Sequence, residues 1–188
     1  KKYQGAGTKD AGTLLHFSCR EEGWSEERIF SRLVSHDGRY LVTGNMDKSV
    51  SLWNLENGRE ERQFCLPAGT GKQGLAVCLA LSKDNRYLAA GGSFPGTISH
   101  TLIRLFDLES GAPLALPGAE ANITEKLYQV THLGFSDGYL AAAFDNSRVR
   151  VWKIGSQFVK PATIDDQFIG IPGIVFTKEQ CDERMIVL

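Results

Sequence analysis

Leu33-Val34-Ser35-His36-Asp37-Gly38-Arg39-Tyr40-Leu41-Val42-Thr43-Gly44 reads as an apolar run, a serine, a tight polar turn holding an aspartate, then Tyr-Leu and small residues. The same order returns in Leu79-Ala80-Leu81-Ser82-Lys83-Asp84-Asn85-Arg86-Tyr87-Leu88-Ala89-Ala90-Gly91 and in Leu133-Gly134-Phe135-Ser136-Asp137-Gly138-Tyr139-Leu140-Ala141-Ala142-Ala143. The turn aspartates Asp37, Asp84 and Asp137 recur at about 50 residues, the spacing at which repeat architectures declare themselves. A second pattern follows each time: Ser49-Val50-Ser51-Leu52-Trp53-Asn54, then Leu102-Ile103-Arg104-Leu105-Phe106-Asp107, then Arg148-Val149-Arg150-Val151-Trp152-Lys153. Two linked patterns in one order, three times over, mark three copies of one structural unit.

Inside each unit the apolar period is two. Val50 and Leu52 alternate with Ser51 and Trp53, and Val149 and Val151 alternate with Arg148, Arg150 and Trp152. Alternation of this kind places successive side chains on opposite faces of a strand, and the Asp-Gly and Asn-Gly pairs between runs suit tight hairpin turns. No stretch of a dozen residues keeps a 3.6 period. The predicted strands lie near 29–35, 40–44, 49–55 and 60–65; near 76–82, 87–91, 101–108 and 113–116; and near 130–136, 138–144, 148–154 and 158–164. The tail, 173–177 and 184–188, reads as the first two strands of a fourth unit, and 119–126 reads as a short helical turn.

Four antiparallel strands repeated every 40–50 residues or so describe a propeller blade. The units resemble WD repeats, with Leu52-Trp53-Asn54, Leu105-Phe106-Asp107 and Val151-Trp152-Lys153 where that family often ends in Trp-Asp. The fold class is therefore all-β, a WD-like β-propeller fragment of three full blades with partial blades at each end. Residues 1–27 are a partial blade or irregular lead-in, 28–66 a blade, 67–118 a blade with an insertion at 92–100, 119–165 a blade, and 166–188 the start of a further one. The family's Gly-His pair is absent from all three units. The resemblance implies a buried hydrogen-bond network that Thr43, Asp47 and Trp53 supply in the first blade and Asp145 and Trp152 in the third; the second has Phe106 in place of Trp and lacks the matching Asp.

The chain has 188 residues, 42% of them hydrophobic and 23% charged, with a formal charge of −1. That length allows a real core, and that charge supplies no general attraction to nucleic acid or anionic membrane. No apolar run approaches the ~20 residues of a membrane-spanning helix, and no secretory pattern follows Lys1-Lys2. The four cysteines, Cys19, Cys65, Cys78 and Cys181, show no C-x-x-C or zinc-ligand spacing and read as reduced, mostly buried thiols. The expected location is intracellular, cytoplasmic or nuclear. The apolar ending Met185-Ile186-Val187-Leu188 reads as a cut through a longer chain.

Catalytic motifs are weak. Gly69-Thr70-Gly71-Lys72-Gln73 lacks the first glycine and the hydroxyl of a phosphate-binding loop. The histidines His16, His36, His100 and His132 are scattered, and Glu21-Glu22, Glu26-Glu27 and Asp165-Asp166 suit solvated charge better than an acid–base pair. His132 falls in a predicted strand, as a satisfied core or interface histidine. Arg148, Arg150 and Lys153 form a basic strip on the polar side of a strand. The inner strands, carrying Leu33, Val34, Val77, Leu79, Leu133 and Phe135, are too apolar for a catalytic funnel. No catalytic residue, metal or cofactor is assigned.

The resemblance implies a non-catalytic scaffold for protein–protein recognition within a multi-subunit complex. A stiff disc holds its loops in place, so they lose little entropy on binding. The alternative is an accessory non-catalytic subunit or domain of a nucleic-acid-modifying or ubiquitin-ligase assembly. In the family, partners dock on the face carrying the inter-blade connections and the turns between second and third strands. By position that face includes Met46, Lys48, Phe94, Phe144 and Asn146; Phe94, on the insertion 92–100, reads either as a binding anchor or as a side chain tucked back onto its own blade. The expected partners are other proteins, and further blades from the same or another chain; no membrane and no directly bound nucleic acid are expected.

Overall fold

The computed structural model describes residues 29–94, 99–117, 120–122, 129–136, 138–146, 148–154, 162–165, 174–179 and 182–187. All the regular structure described is β. The first sheet runs β1 (Ile29–Val34), β2 (Tyr40–Asn45), β3 (Ser49–Asn54) and β4 (Arg59–Cys65), paired in that order. The second runs β5 (Ala76–Leu81), β6 (Tyr87–Phe94), β7 (Ser99–Asp107) and β8 (Pro113–Leu114), with β9 (Glu120–Asn122) also paired to β7. The third runs β10 (Val130–Ser136), β11 (Tyr139–Phe144), β12 (Arg148–Lys153) and β13 (Ala162–Asp165). A two-stranded sheet, β14 (Ile174–Glu179) and β15 (Asp182–Val187), follows. Every pairing is antiparallel.

The sheets stand as spokes. β1 packs on β5, β5 on β10, and β10 on β14, so the first strand of each sheet neighbours the first strand of the next. Each four-stranded unit also bends at the same place: the inner pair shifts register between Ile29 and Ser31, between Ala76 and Cys78, and between Val130 and His132. A bulge there adds local twist.

The core is not within a sheet but between sheets. Val42, Val50, Leu52, Phe64 and Leu66 of the first unit interlock with Ala76, Leu79, Leu88, Ala90, Phe94 and Phe106 of the second. The opposite face of the second unit, with Ala89, Ile103 and Leu105, closes on Val130, Leu140, Ala142, Phe144 and Trp152 of the third. Both faces of the middle blade are thus buried, which is why β6 reads Leu-Ala-Ala-Gly-Gly rather than as a polar–apolar alternation. Each large side chain so buried contributes about 1.5–3 kcal/mol. Trp53, Phe106 and Trp152 occupy equivalent register positions, opposite Leu41, Leu88 and Leu140. Phe106 and Trp152 belong to the clusters shared with the preceding blade, and Phe106 meets Phe64 of that blade at 4.7 Å between ring centroids.

Several expectations are corrected. The segment 119–126 is not helical where it is described, because 120–122 pairs with β7. The insertion 92–100 is partly strand: β6 continues to Phe94, and β7 begins at Ser99. The outer strand of the second unit is shorter than expected, at Pro113–Leu114, and that of the third is described over Ala162–Asp165. Val34 of the inner strand is 54% exposed, so that strand is less sealed than its composition suggests. Cys65 is exposed. Cys19 and Cys181 lie outside the described residues, as do residues 1–27.

Candidate functional site

Two faces of the disc carry the turns, and different chemistry holds each. On one face, the β2–β3 turn is fixed by Asp47, whose Oδ1 accepts from the Ser49 amide at 2.9 Å and its hydroxyl at 2.6 Å. Lys48 sits at φ 68°, donates its ammonium to the Gly69 carbonyl, and accepts from the Leu66 amide through its own carbonyl at 3.1 Å. The turn is thereby tied to the connection between the first two blades. The third blade repeats the device: Asp145 and Gln129 exchange two bonds of 3.0 Å, linking the β11–β12 turn to the strand entry before it. A turn latched to an inter-blade connection is ordered before any partner arrives.

Of the five side chains placed on this face, Met46 is 45% exposed, and Lys48 and Asn146 are half-buried. Phe94 and Phe144 are not available. Phe94 is fully buried in the cluster between the first two blades, because β6 carries it inward past Gly91-Gly92 instead of turning out. Phe144 ends β11 inside the cluster between the second and third blades, with the Arg150 guanidinium 5.2 Å from its ring centroid. Exposed loops and buried strand ends have the same Gly-rich, aromatic composition, so sequence alone left both readings of Phe94 open, and burial decides for the side chain packed inward.

The expected buried network is divided. Trp53 Nε1 donates to Thr43 Oγ1 at 2.9 Å. Asp47 serves a different chain of bonds, through Ser49, which accepts from Asn45 at 3.0 Å and Gln63 at 3.1 Å; Asn45 also donates to Ser51 at 3.0 Å. Asn45, Ser49 and Ser51 are buried polar residues that the sequence reading missed; their signal was the small polar residues alternating through β3. In the third blade Asp145 bonds Gln129, whereas Trp152 Nε1 donates 2.8 Å to the Pro117 carbonyl, so the two do not share one network.

The opposite face carries the β1–β2 and β5–β6 turns. Ser35 donates its hydroxyl to Asp37 at 2.6 Å and accepts from the Tyr40 amide at 2.9 Å; Ser82, Asp84 and Tyr87 repeat this at 2.5 and 2.8 Å. The Ser35 hydroxyl first, and then the Arg39 amide, hold the Asp37 carboxyl well below the usual carboxylate range. The Ser110 amide does the same, more mildly, for Asp107, which also meets Arg86 at 3.4 Å. These carboxylates are occupied by turn bonds, which leaves them poorly placed for proton transfer. His132 lies half-buried on β10, and its Nδ1 has no hydrogen-bond partner among the described residues, contrary to the satisfied histidine expected there. Burial pushes the Cys78 thiol up to about 12, which leaves it unreactive at neutral pH. Among the described residues no group of three His, Cys, Asp or Glu is placed to hold a metal, and no helix is long and apolar enough to cross a membrane.

Residues 20–54 match the family model of the WD domain, G-beta repeat. The chain is 30% identical over 141 residues to the tricorn protease of Thermoplasma volcanium, covering 72% of this chain and 12% of that protein. It is 26% identical over 120 residues to human DDB1- and CUL4-associated factor 5, covering 64% of this chain and 12% of that protein. The crystal structure of the RRP9 WD40 repeats superposes with a TM-score of 0.59 at 21% identity, covering 81% of this chain and 43% of that one. The chain thus spans about an eighth of these two curated relatives. Spokes of four antiparallel strands, an aromatic at one register position of each and a repeat model matched over residues 20–54 agree: the described sheets are blades of a β-propeller with the fold of WD40 domains.

Proposed function

We propose that this chain is a non-catalytic docking scaffold inside the cell, working as one component of a multi-subunit assembly. The observation that carries the reading is the latching of the β2–β3 and β11–β12 turns to inter-blade segments, through Lys48 with Gly69 and Asp145 with Gln129. Turns already fixed lose little entropy when a partner binds. Met46, Lys48 and Asn146 are the side chains of that face we assign to partner contact. Two further features support additional blades, from the same polypeptide or a second copy: the two-stranded sheet β14–β15 beside β10, and Val34 exposed on β1, next to Leu33, which joins the cluster on the other side. The binding partners are proteins, with no role for a membrane or for directly bound nucleic acid.

Similarity to a protein named as a DDB1- and CUL4-associated factor favours one version of this role, an accessory subunit of a ubiquitin-ligase assembly. Similarity to a protease covers only 12% of that enzyme and leaves room for a purely structural part. The test is co-purification of stoichiometric partners with the wild-type chain and with Met46→Asp. The variant is expected to melt like wild type and to lose its partners. Unchanged partners would remove this face from the role, turnover of peptide substrates by the purified chain would remove the non-catalytic reading, and failure to bind DDB1 would remove the ligase version.

A further inference from the structure

Cross-strand register makes Thr43, Ala90 and Ala142 equivalent, opposite Ser51, Arg104 and Arg150. Two residues further along, on the same face, stand Asn45, Gly92 and Phe144. In the first blade Asn45 donates to Ser51 at 3.0 Å. In the third, the Phe144 ring carries the Arg150 guanidinium at 5.2 Å. In the second blade the partner position is a glycine. A side chain cannot be restored there, since a Cβ on Gly92 would lie 2.2 Å from the Leu75 carbonyl oxygen and 3.0 Å from the Phe94 ring. Arg104 therefore lacks the companion that its two counterparts have, and its Nε is buried with no hydrogen-bond partner among the described residues.

Arg104 faces a crevice of about 280 Å³ between β4 of the first blade and β7 of the second. Phe64, Phe106, Pro67 and Pro113 give it an apolar wall, Gln63 and Cys65 complete the β4 side, and among the described residues no acidic one lines it. A guanidinium N–H removed from water without an acceptor is costly, and an ionised acceptor recovers that cost best. Building on the scaffold reading, we infer that this crevice binds the carboxylate of a glutamate or aspartate on a partner peptide, with apolar neighbours of that residue against the Phe64–Phe106 wall. A single lining cation balances one carboxylate. A phosphate would call for a second, and Arg62, whose guanidinium lies against the lining residue Gly111, is not itself in the lining.

The experiment follows the Arg104 Nε–Hε signal by NMR in the ¹⁵N-labelled 188-residue chain, assigned by its disappearance in Arg104→Lys. Three capped peptides are titrated: Leu-Glu-Leu, Leu-Gln-Leu and Leu-phosphoserine-Leu. The glutamate peptide is expected to shift the signal saturably, with binding about tenfold or more tighter than the glutamine peptide. No response to the glutamate peptide at millimolar concentration, or an equal response to glutamine, overturns the inference. Tighter binding of the phosphoserine peptide overturns it in favour of a phosphate site. All three arms use wild-type chain, and the same signal is assigned there independently by through-bond correlation to the Arg104 backbone in ¹³C,¹⁵N-labelled protein, so the result stands even where the Arg104 variant folds poorly. They also need no assembly partner, so loss of the scaffold role in co-purification and loss of this site are separate outcomes.

Discussion

Asn85 donates its side-chain amide to Asp37 Oδ2 at 2.8 Å, joining the β5–β6 turn of one blade to the β1–β2 turn of its neighbour. Asn85 adopts φ 57°, which an asparagine tolerates better than most residues, and this conformation aims its amide sideways across the junction. Asp37 already accepts from Ser35 and from Arg39 through both its amide and its Nε. One carboxylate therefore organises its own turn and the contact to the next blade.

The pH dependence follows from that carboxylate. The Ser35 hydroxyl, with the Arg39 amide next, depresses the Asp37 carboxyl, and the Ser110 amide depresses Asp107 in the same sense. A carboxyl depressed in the folded state adds stability above its unfolded value of about 4 and loses it as pH falls towards the folded value. The melting temperature is expected to hold steady from pH 7 to about 5 and to drop below about pH 4. Asp37→Asn is expected to flatten that drop. Thermal melts across pH decide the matter; an unchanged acid slope in Asp37→Asn would mean that other groups carry it.

Trp53 and Thr43 supply a second prediction. Thr43 is fully buried and its hydroxyl accepts the indole N–H at 2.9 Å. Thr43→Val keeps the volume and removes the acceptor, which costs about 1–3 kcal/mol when a buried donor loses its bond. Chemical denaturation should show the midpoint falling at constant slope. A variant as stable as wild type would show that this bond is not what holds the indole in the blade.

Repetition made most of the fold legible. Turn residues such as Asp37-Gly38 and the Trp53, Phe106, Trp152 series have local signatures, and each places a strand without reference to anything distant. The division of the network was not legible, because Thr43, Asp47 and Trp53 lie on two strands and a turn, and which hydroxyl meets which donor depends on register. The same holds for Gly92 and Arg104: neither residue is unusual alone, and only cross-strand pairing beside the Asn45–Ser51 and Phe144–Arg150 pairs shows what is missing. Phe94 is ambiguous in sequence for a further reason. Gly91-Gly92-Ser93 before it and Pro95-Gly96 after it are turn formers by composition, whereas Gly91 and Gly92 are there because neighbours leave no room for a Cβ: one on Gly91 would lie 2.5 Å from Cys78 Sγ.

Phe94 itself supplies the last prediction, since a docking anchor and a core residue fail differently on truncation. Its ring is fully buried, packs in the cluster formed with Val50, Leu52 and Phe64, and stands 3.0 Å from where a Gly92 Cβ would be. Removing such a ring leaves a cavity among the residues of that cluster. Phe94→Ala is therefore expected to cost about 3–5 kcal/mol of stability. Phe94→Leu, which keeps most of the volume, is expected to cost less. The check pairs denaturant melts with partner binding measured well below the melting point. A core residue predicts a large loss of stability with binding retained by whatever remains folded. Unchanged stability with binding abolished would return Phe94 to the surface role its flanking glycines and proline suggest.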